Sequence, residues 1–376
     1  MPTQPAAPEP HDPNELVNGR ARWFDLPAWS IAIPLIGLAA LTLGKPGSPI
    51  VAMALAVLLG AIVMAAVYHA EILAEYLGEP FGTLVLALAV TVIETSLIVA
   101  IMLSEVGDTQ TLARDTLMAA IMITINAIVG ICLLVGGRRH HEQSYTQSGV
   151  SVGLAMLVTL AALTLVLPNY TTSSAGPFYT PTQLVFAAAV SLTIYATFVF
   201  SQTIRHRDHF IHDTGDDHQH HAPVRRRKAI AAAVALLPAL VAVVLLAKAL
   251  SPSIEAGVAA IGAPQALVGI IIAGVVLAPE GFAAFNAARG NRVQTSLNLA
   301  IGSALATIGL TIPAVAVTAL VIGLDLELGL SAKSIVLLAV TMLVAVLTLG
   351  TGRTTMAHGV IHLVIFATYL FTTLVP

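Results

Sequence analysis

The sequence predicts an all-α polytopic membrane protein of about eleven transmembrane helices, built as two inverted five-helix repeats behind an extra first helix. Three observations carry that expectation. The first is composition: of 376 residues, 57% are hydrophobic and 10% charged, against roughly 25% charged in soluble domains. The second is a succession of apolar runs near 20 residues, the length that crosses a bilayer. The third is a pair of acids, Glu94 and Glu280, that end two similar stretches, GEPFGTLVLALAVTVIE and GAPQALVGIIIAGVVLAPE.

The apolar runs place helices near 27–44, 50–77, 81–104, 113–136, 147–168 and 181–204 in the first part of the chain. Five more follow near 227–250, 265–288, 294–322, 331–350 and 354–375, and the long second and ninth runs have room for a break. With the N-terminus cytoplasmic, thirteen Lys and Arg residues fall in inner loops. Only Lys45, Arg114, Lys248 and Lys333 fall outside. That bias is the one expected of cytoplasmic loops and predicts an odd helix count with N-in and C-out.

Residues 1–23 are rich in proline and show no basic segment followed by an apolar core, so a tail is expected there rather than a cleavable signal. The expected organisation continues with the extra helix and loop at 24–49, a first half at 50–204, a cytoplasmic linker at 205–228 and a second half at 229–376. The linker carries His206, His209, His212, His218, His220 and His221 among four aspartates. These residues form a candidate regulatory metal or pH-sensing segment, although their spacing matches no zinc site and a solvated linker is the simpler reading. Cys132, the one cysteine, reads as a small buried hydrophobe and excludes an internal disulfide.

The two acids define the candidate site. A charged side chain at mid-bilayer costs about 2.5–3.5 kcal/mol on insertion scales, so it faces a partner, a cavity or an ion. Each acid follows a Gly-x-Pro turn, with Gly78 and Pro80 before Glu94, and Gly262 and Pro264 before Glu280. The intervening helices run in opposite directions, which makes the repeats inverted. Secondary transporters built this way bind substrate near the midplane, often on broken helices, and Pro279 is placed to bend the second of these. Thr91, Thr95 and Ser96 around Glu94, and Asn126, Ser303 and Thr307 on the helices that follow, offer oxygen ligands suited to hard cations. Glu71, Glu75 and Glu255 are candidate access-path acids, with His69 beside the first two. His358 and His362 are read as proton carriers or, more simply, as hydrogen-bonding groups inside the bundle.

The stretches AEILAEYLGEPFGTLVLALAVTVIETSLIV, LVGIIIAGVVLAPEGFAAF and NLAIGSALATIGLTIP resemble the alpha repeats of the cation/calcium exchanger superfamily, within it the proton-coupled branch and its bacterial ChaA-type members. The resemblance implies an antiporter of Ca2+, Na+ or K+ against H+ in a bacterial inner membrane, with no cofactor, no nucleic-acid partner, and lipid and inorganic cations as its surroundings. It implies that Glu94 and Glu280 bind cation and proton in turn, that Asn126 matches the family's asparagine, and that Ser303 and Thr307 fall in the matching polar stretch. The chain departs from the proton–calcium exchangers in lacking Gly-Asn ahead of each acid, where it has Thr91-Val92-Ile93 and Leu277-Ala278-Pro279. That departure leaves monovalent cations open. A passive channel is the alternative, and an intramembrane enzyme finds no HExxH, GxSxG or phosphate-binding loop to support it.

Overall fold

In the computed structural model the residues described are 22–23, 26–43, 48–78, 81–102, 110–205 and 224–375. The histidines of the linker, His206 through His221, lie outside them. The described chain forms eleven helices in the predicted order. They are α1 (Ala28–Ala40), α2 (Pro49–Leu77), α3 (Phe81–Met102), α4 (Leu112–His140), α5 (Gln147–Tyr170) and α6 (Pro181–Arg205). The second half contains α7 (Arg226–Ala260), α8 (Ala266–Arg289), α9 (Val293–Ile322), α10 (Ala332–Leu349) and α11 (Met356–Leu374). Nine of them are long and apolar enough to cross a membrane, while α1 and the Leu88–Val99 part of α3 are shorter apolar helices.

Helix starts follow from local chemistry. Ser48 accepts from the Val51 amide ahead of Pro49. Thr180 and Gln183 close a reciprocal capping box with Pro181 at the first helical position. The Gly-x-Pro turns supply the sharpest repeat signature: Gly78 and Gly262 adopt φ of 65° and 68°, the left-handed region that favours glycine, just before the two acid-bearing helices.

Helix packing reproduces the two-fold relation. The first helices of the halves, α2 and α7, pack on each other; α3 packs on α9 as α8 packs on α4; and α6 packs on α9 as α11 packs on α4. Each partner in one half is thus matched by its counterpart in the other. Because each half holds five spans, the second half enters the bundle upside down relative to the first. The chain's connections sort onto two ends in agreement. At one end the strands β3 (Glu142–Ser144) and β4 (Arg353–Thr355) pair antiparallel, and Gln143 donates to Asn291 at 2.9 Å. At the other, Arg114 pairs with Glu327 and donates to the Gly329 carbonyl at 3.2 Å, and the Leu330 amide donates to Leu165 at 2.9 Å. Two short strands, β1 (Arg22–Trp23) and β2 (Leu26–Pro27), precede α1.

Three expectations are corrected. The helix α7 does not stop at 250 but continues through Pro252 to Ala260, so Glu255 sits within a helix rather than in a loop. Broken helices are not found at the acids: α8 runs unbroken through Pro279 and α3 from Phe81 to Met102, and the long α2 and α9 are continuous as well. Irregular backbone appears instead in α4, whose residues Met122–Ile128 form a π-helical stretch around Asn126. Cys132 is buried and free, as its apolar setting suggests.

Candidate cation-binding site

The site is organised on one face of α9. Ser303, Thr307 and Thr311 recur every four residues, the spacing that stacks side chains along a helix at about 5–6 Å intervals. Each reaches a different partner. Ser303 Oγ donates to Glu280 Oε2 from α8. Thr307 Oγ1 donates to Glu94 Oε2 from α3 at 2.7 Å. Thr311 and Thr95 share a hydroxyl–hydroxyl bond of 3.1 Å. The acids of the two repeats are therefore held on consecutive turns of one helix.

Burial separates the two carboxylates. Glu94 is 1% exposed, and its Oε1 is buried without a hydrogen-bond partner. Glu280 is half-buried. An unpaired carboxylate oxygen in the interior costs at least about 1–3 kcal/mol, and more when charged, unless a proton or a cation occupies it. Carboxylate and hydroxyl oxygens make a hard donor set, suited to alkali and alkaline-earth ions rather than to softer metals. Among the described residues no group of three or more His, Cys, Asp or Glu side chains gathers as a metal centre.

The structure brings together Glu94, Glu280, Thr95, Ser303 and Thr307, and Thr91 is buried one turn before Glu94 on the same helix. Asn126 is engaged elsewhere. It is fully buried, donates to Thr341 Oγ1 on α10 at 2.9 Å, and its Oδ1 lies 3.1 Å from Nδ1 of His362 on α11. An amide oxygen only accepts, so in this orientation His362 carries its proton on Nδ1, and its Nε2 meets Thr348 Oγ1 at 2.9 Å. The π-helical turn explains the difference from the sequence expectation. A widened turn shifts the register of the side chains around it relative to a regular helix, and no residue type in MITINAI announces it. His362 thus hydrogen-bonds inside the bundle, the simpler of its two readings, while His358 lies near Thr354 at 3.5 Å.

The candidate access acids are dispersed. Glu71 and Glu75 are exposed near the end of α2. His69, two residues before Glu71, is buried against the Ser30 carbonyl at 3.0 Å and so ties α2 to α1. Glu255 is half-buried and accepts from Ser251 at 2.9 Å. Thr311, which completes the row on α9, carried one signal in the sequence: its spacing of four from Thr307.

Comparison with known proteins agrees with this architecture. A family model described as sodium/calcium exchanger protein matches residues 47–204 and 231–375. The y4hA protein of Sinorhizobium fredii, named for ionic transport, is 46% identical over 365 residues, covering 95% of this chain and 99% of the relative. The sodium-potassium/proton antiporter ChaA of Escherichia coli is 36% identical over 353 residues, covering 91% of this chain and 95% of the relative. Among solved structures, the H+/Ca2+ exchanger CAX superposes with a TM-score of 0.70 at 17% identity, covering 91% of this chain and 86% of that one, a likeness of fold.

Proposed function

Given that this chain belongs to the sodium/calcium exchanger protein family, and is a membrane transporter rather than an enzyme, we propose that it is a cation/proton antiporter whose exchange site is the Glu94–Glu280 pair on α9. The observation that carries this reading is the consecutive placement of both acids on Ser303 and Thr307, with the buried Glu94 Oε1 left for a proton or cation. The exchanged ions are Na+, K+ or Ca2+. The absence of Gly-Asn ahead of either acid, together with a sodium-potassium/proton relative at 36% identity, favours the monovalent ions.

Exchange then follows from competition. Two nearby carboxylates in a low-dielectric interior resist ionising together. A cation stabilises the ionised pair and displaces protons, while protons neutralise the pair and release the cation. The hydroxyls of Ser303 and Thr307 orient the two Oε2 atoms, which leaves the remaining carboxylate oxygens for the ion. Antiport results when the site reorients only while loaded with cation or proton. By the Lys and Arg bias of the loops, the end bearing β3 and β4 is cytoplasmic and the end bearing Arg114 and Glu327 is external, which places the C-terminus outside the bacterial inner membrane.

Proteoliposomes with an internal pH dye test the proposal. An imposed Na+, K+ or Ca2+ gradient is expected to change internal pH with wild-type protein, and not with Glu94→Gln or Glu280→Gln protein of equal incorporation. Cation flux that needs no proton counter-flow, or normal coupling by either variant, rejects it.

A further inference from the structure

A second site lies apart from the α9 row. Between α2, α3, α7 and α8 is a cavity of about 300 Å³, at the lower end of the roughly 300–1,000 Å³ typical of small-molecule pockets. Its walls include Leu59, Leu97, Ala247, Ile254, Ile272 and Val275, and among the described residues its side-chain hydroxyls are Ser251 and Ser253. Such a lining does not replace the hydration shell of an inorganic cation, which requires several oxygen ligands. It suits an aliphatic chain. The cavity adjoins a second hollow of about 210 Å³ lined by Glu255 and Gln265, and the two share Val258 and Val268 as a common wall. Ser251, which lines the apolar cavity, donates to Glu255 at 2.9 Å, so a carboxylate stands at the cavity's margin.

We propose that this cavity binds an amphipathic cation, its aliphatic chain lying between α2, α3, α7 and α8 and its ammonium head beside Glu255. The site goes beyond cation/proton exchange and does not depend on it. Neither glutamate of the exchange pair lines either hollow, although Leu97 places the wall one turn from Glu94 on α3. Gly257, an exposed residue at the cavity's lining, has no atom within 4 Å of where a Cβ would lie, so a larger side chain can be placed there without a clash.

The test uses the full chain in neutral dodecyl maltoside micelles, with thermal unfolding followed against added dodecyltrimethylammonium, dodecyl sulfate or dodecanol. The cationic probe is expected to stabilise the protein at roughly tenfold lower concentration than the other two, the scale of one partly shielded charge pair. Glu255→Gln is expected to remove that preference and leave the three probes alike. Gly257→Leu and Ser253→Phe, two independent ways to fill the slot, are expected to unfold like wild type without probe and to lose the probe-induced shift. Added phosphatidylethanolamine that competes with the probe identifies a lipid as the natural source of the head group, and lack of competition identifies a soluble alkylamine. Equal stabilisation by all three probes in wild type, or a full shift in either slot-filling variant that folds, overturns the proposal.

Discussion

The helices α4 and α9 occupy equivalent places in the two halves, yet their polar residues do opposite work. On α9 the hydroxyls of Ser303, Thr307 and Thr311 point across the interface and engage side chains of α3 and α8. On α4 the polar groups turn away. Thr124 bonds its own helix at the Ala120 carbonyl, 2.8 Å away, and Asn126 joins Thr341 and His362 on α10 and α11. A regular helix presents one face at intervals of four, whereas the π-helical turn of α4 interrupts that spacing. The fold is therefore symmetric while its chemistry is not: α9 of the second half positions both acids, whereas α4 of the first half is tied to α10 and α11 of the second.

That contrast is open to attack. The largest effect on stability is expected at His362→Leu, which strands Asn126 Oδ1 while Thr348 keeps its bond to the Val344 carbonyl; at about 1–3 kcal/mol for a buried group left unpaired, stability should fall by about that much in denaturant titrations. The half-saturating cation concentration should stay unchanged, and a shift as large as that of an α9 variant would erase the distinction. Thr307→Val comes next. Losing a hydrogen bond to a charged group costs about 1.5–3 kcal/mol, so cation affinity measured by flux should drop roughly 10- to 150-fold, with Thr307→Ser restoring most of it.

Helix crossings sharpen the comparison further. A Cβ on Gly359 of α11 would lie 2.4 Å from the Leu134 amide nitrogen and 2.7 Å from the Gly130 carbonyl of α4. On Gly309 of α9 it would lie 2.6 Å from Cβ of Tyr195 on α6. Overpacking costs about 1–3 kcal/mol; the Tyr195 Cβ moves only with its backbone, but Gly359 has the closer and more numerous clashes, with Leu134 Cα at 2.9 Å as a third. Gly359→Ala should therefore lower the unfolding midpoint more than Gly309→Ala, and the reverse order would show that α4 is the more adaptable helix. The smallest effect belongs to Thr95→Val, which removes a neutral hydroxyl pair worth about 0.5–1.5 kcal/mol and should lower transport by no more than roughly tenfold.

Much of the architecture was legible in the sequence. Apolar runs marked most helix starts and ends to within a few residues, and Gly-x-Pro, Ser-Pro or Thr-Pro stands at four of the starts, because bilayer thickness and cap chemistry both act locally. The run 227–250 failed at one end. Ser251-Pro252-Ser253 reads as a loop, but a proline is tolerated inside a long helix whose neighbours satisfy the freed carbonyl, and α7 continues to Ala260. The acids stood out in the sequence as charges in apolar runs behind Gly-x-Pro turns, and Ser303 and Thr307 as polar groups on the following helix; the structure brings all four together. The partners of Asn126 were not legible, because the π-helical turn around it has no signature in residue type and Thr341 and His362 lie more than 200 residues away.

The placement of both acids on α9 bears on ancestry. Inverted halves of this kind invite the picture of a gene duplicated from a half-length chain that once assembled as a head-to-tail pair. Such a pair made today from residues of the first half alone would carry two copies of α4 and no row of hydroxyls. One made from the second half alone would carry two copies of α9, with one Thr307 facing another copy of Glu280 where Glu94 now sits. Neither reconstitutes the present arrangement, so the specialisation of α9 makes the site depend on two halves that are no longer interchangeable.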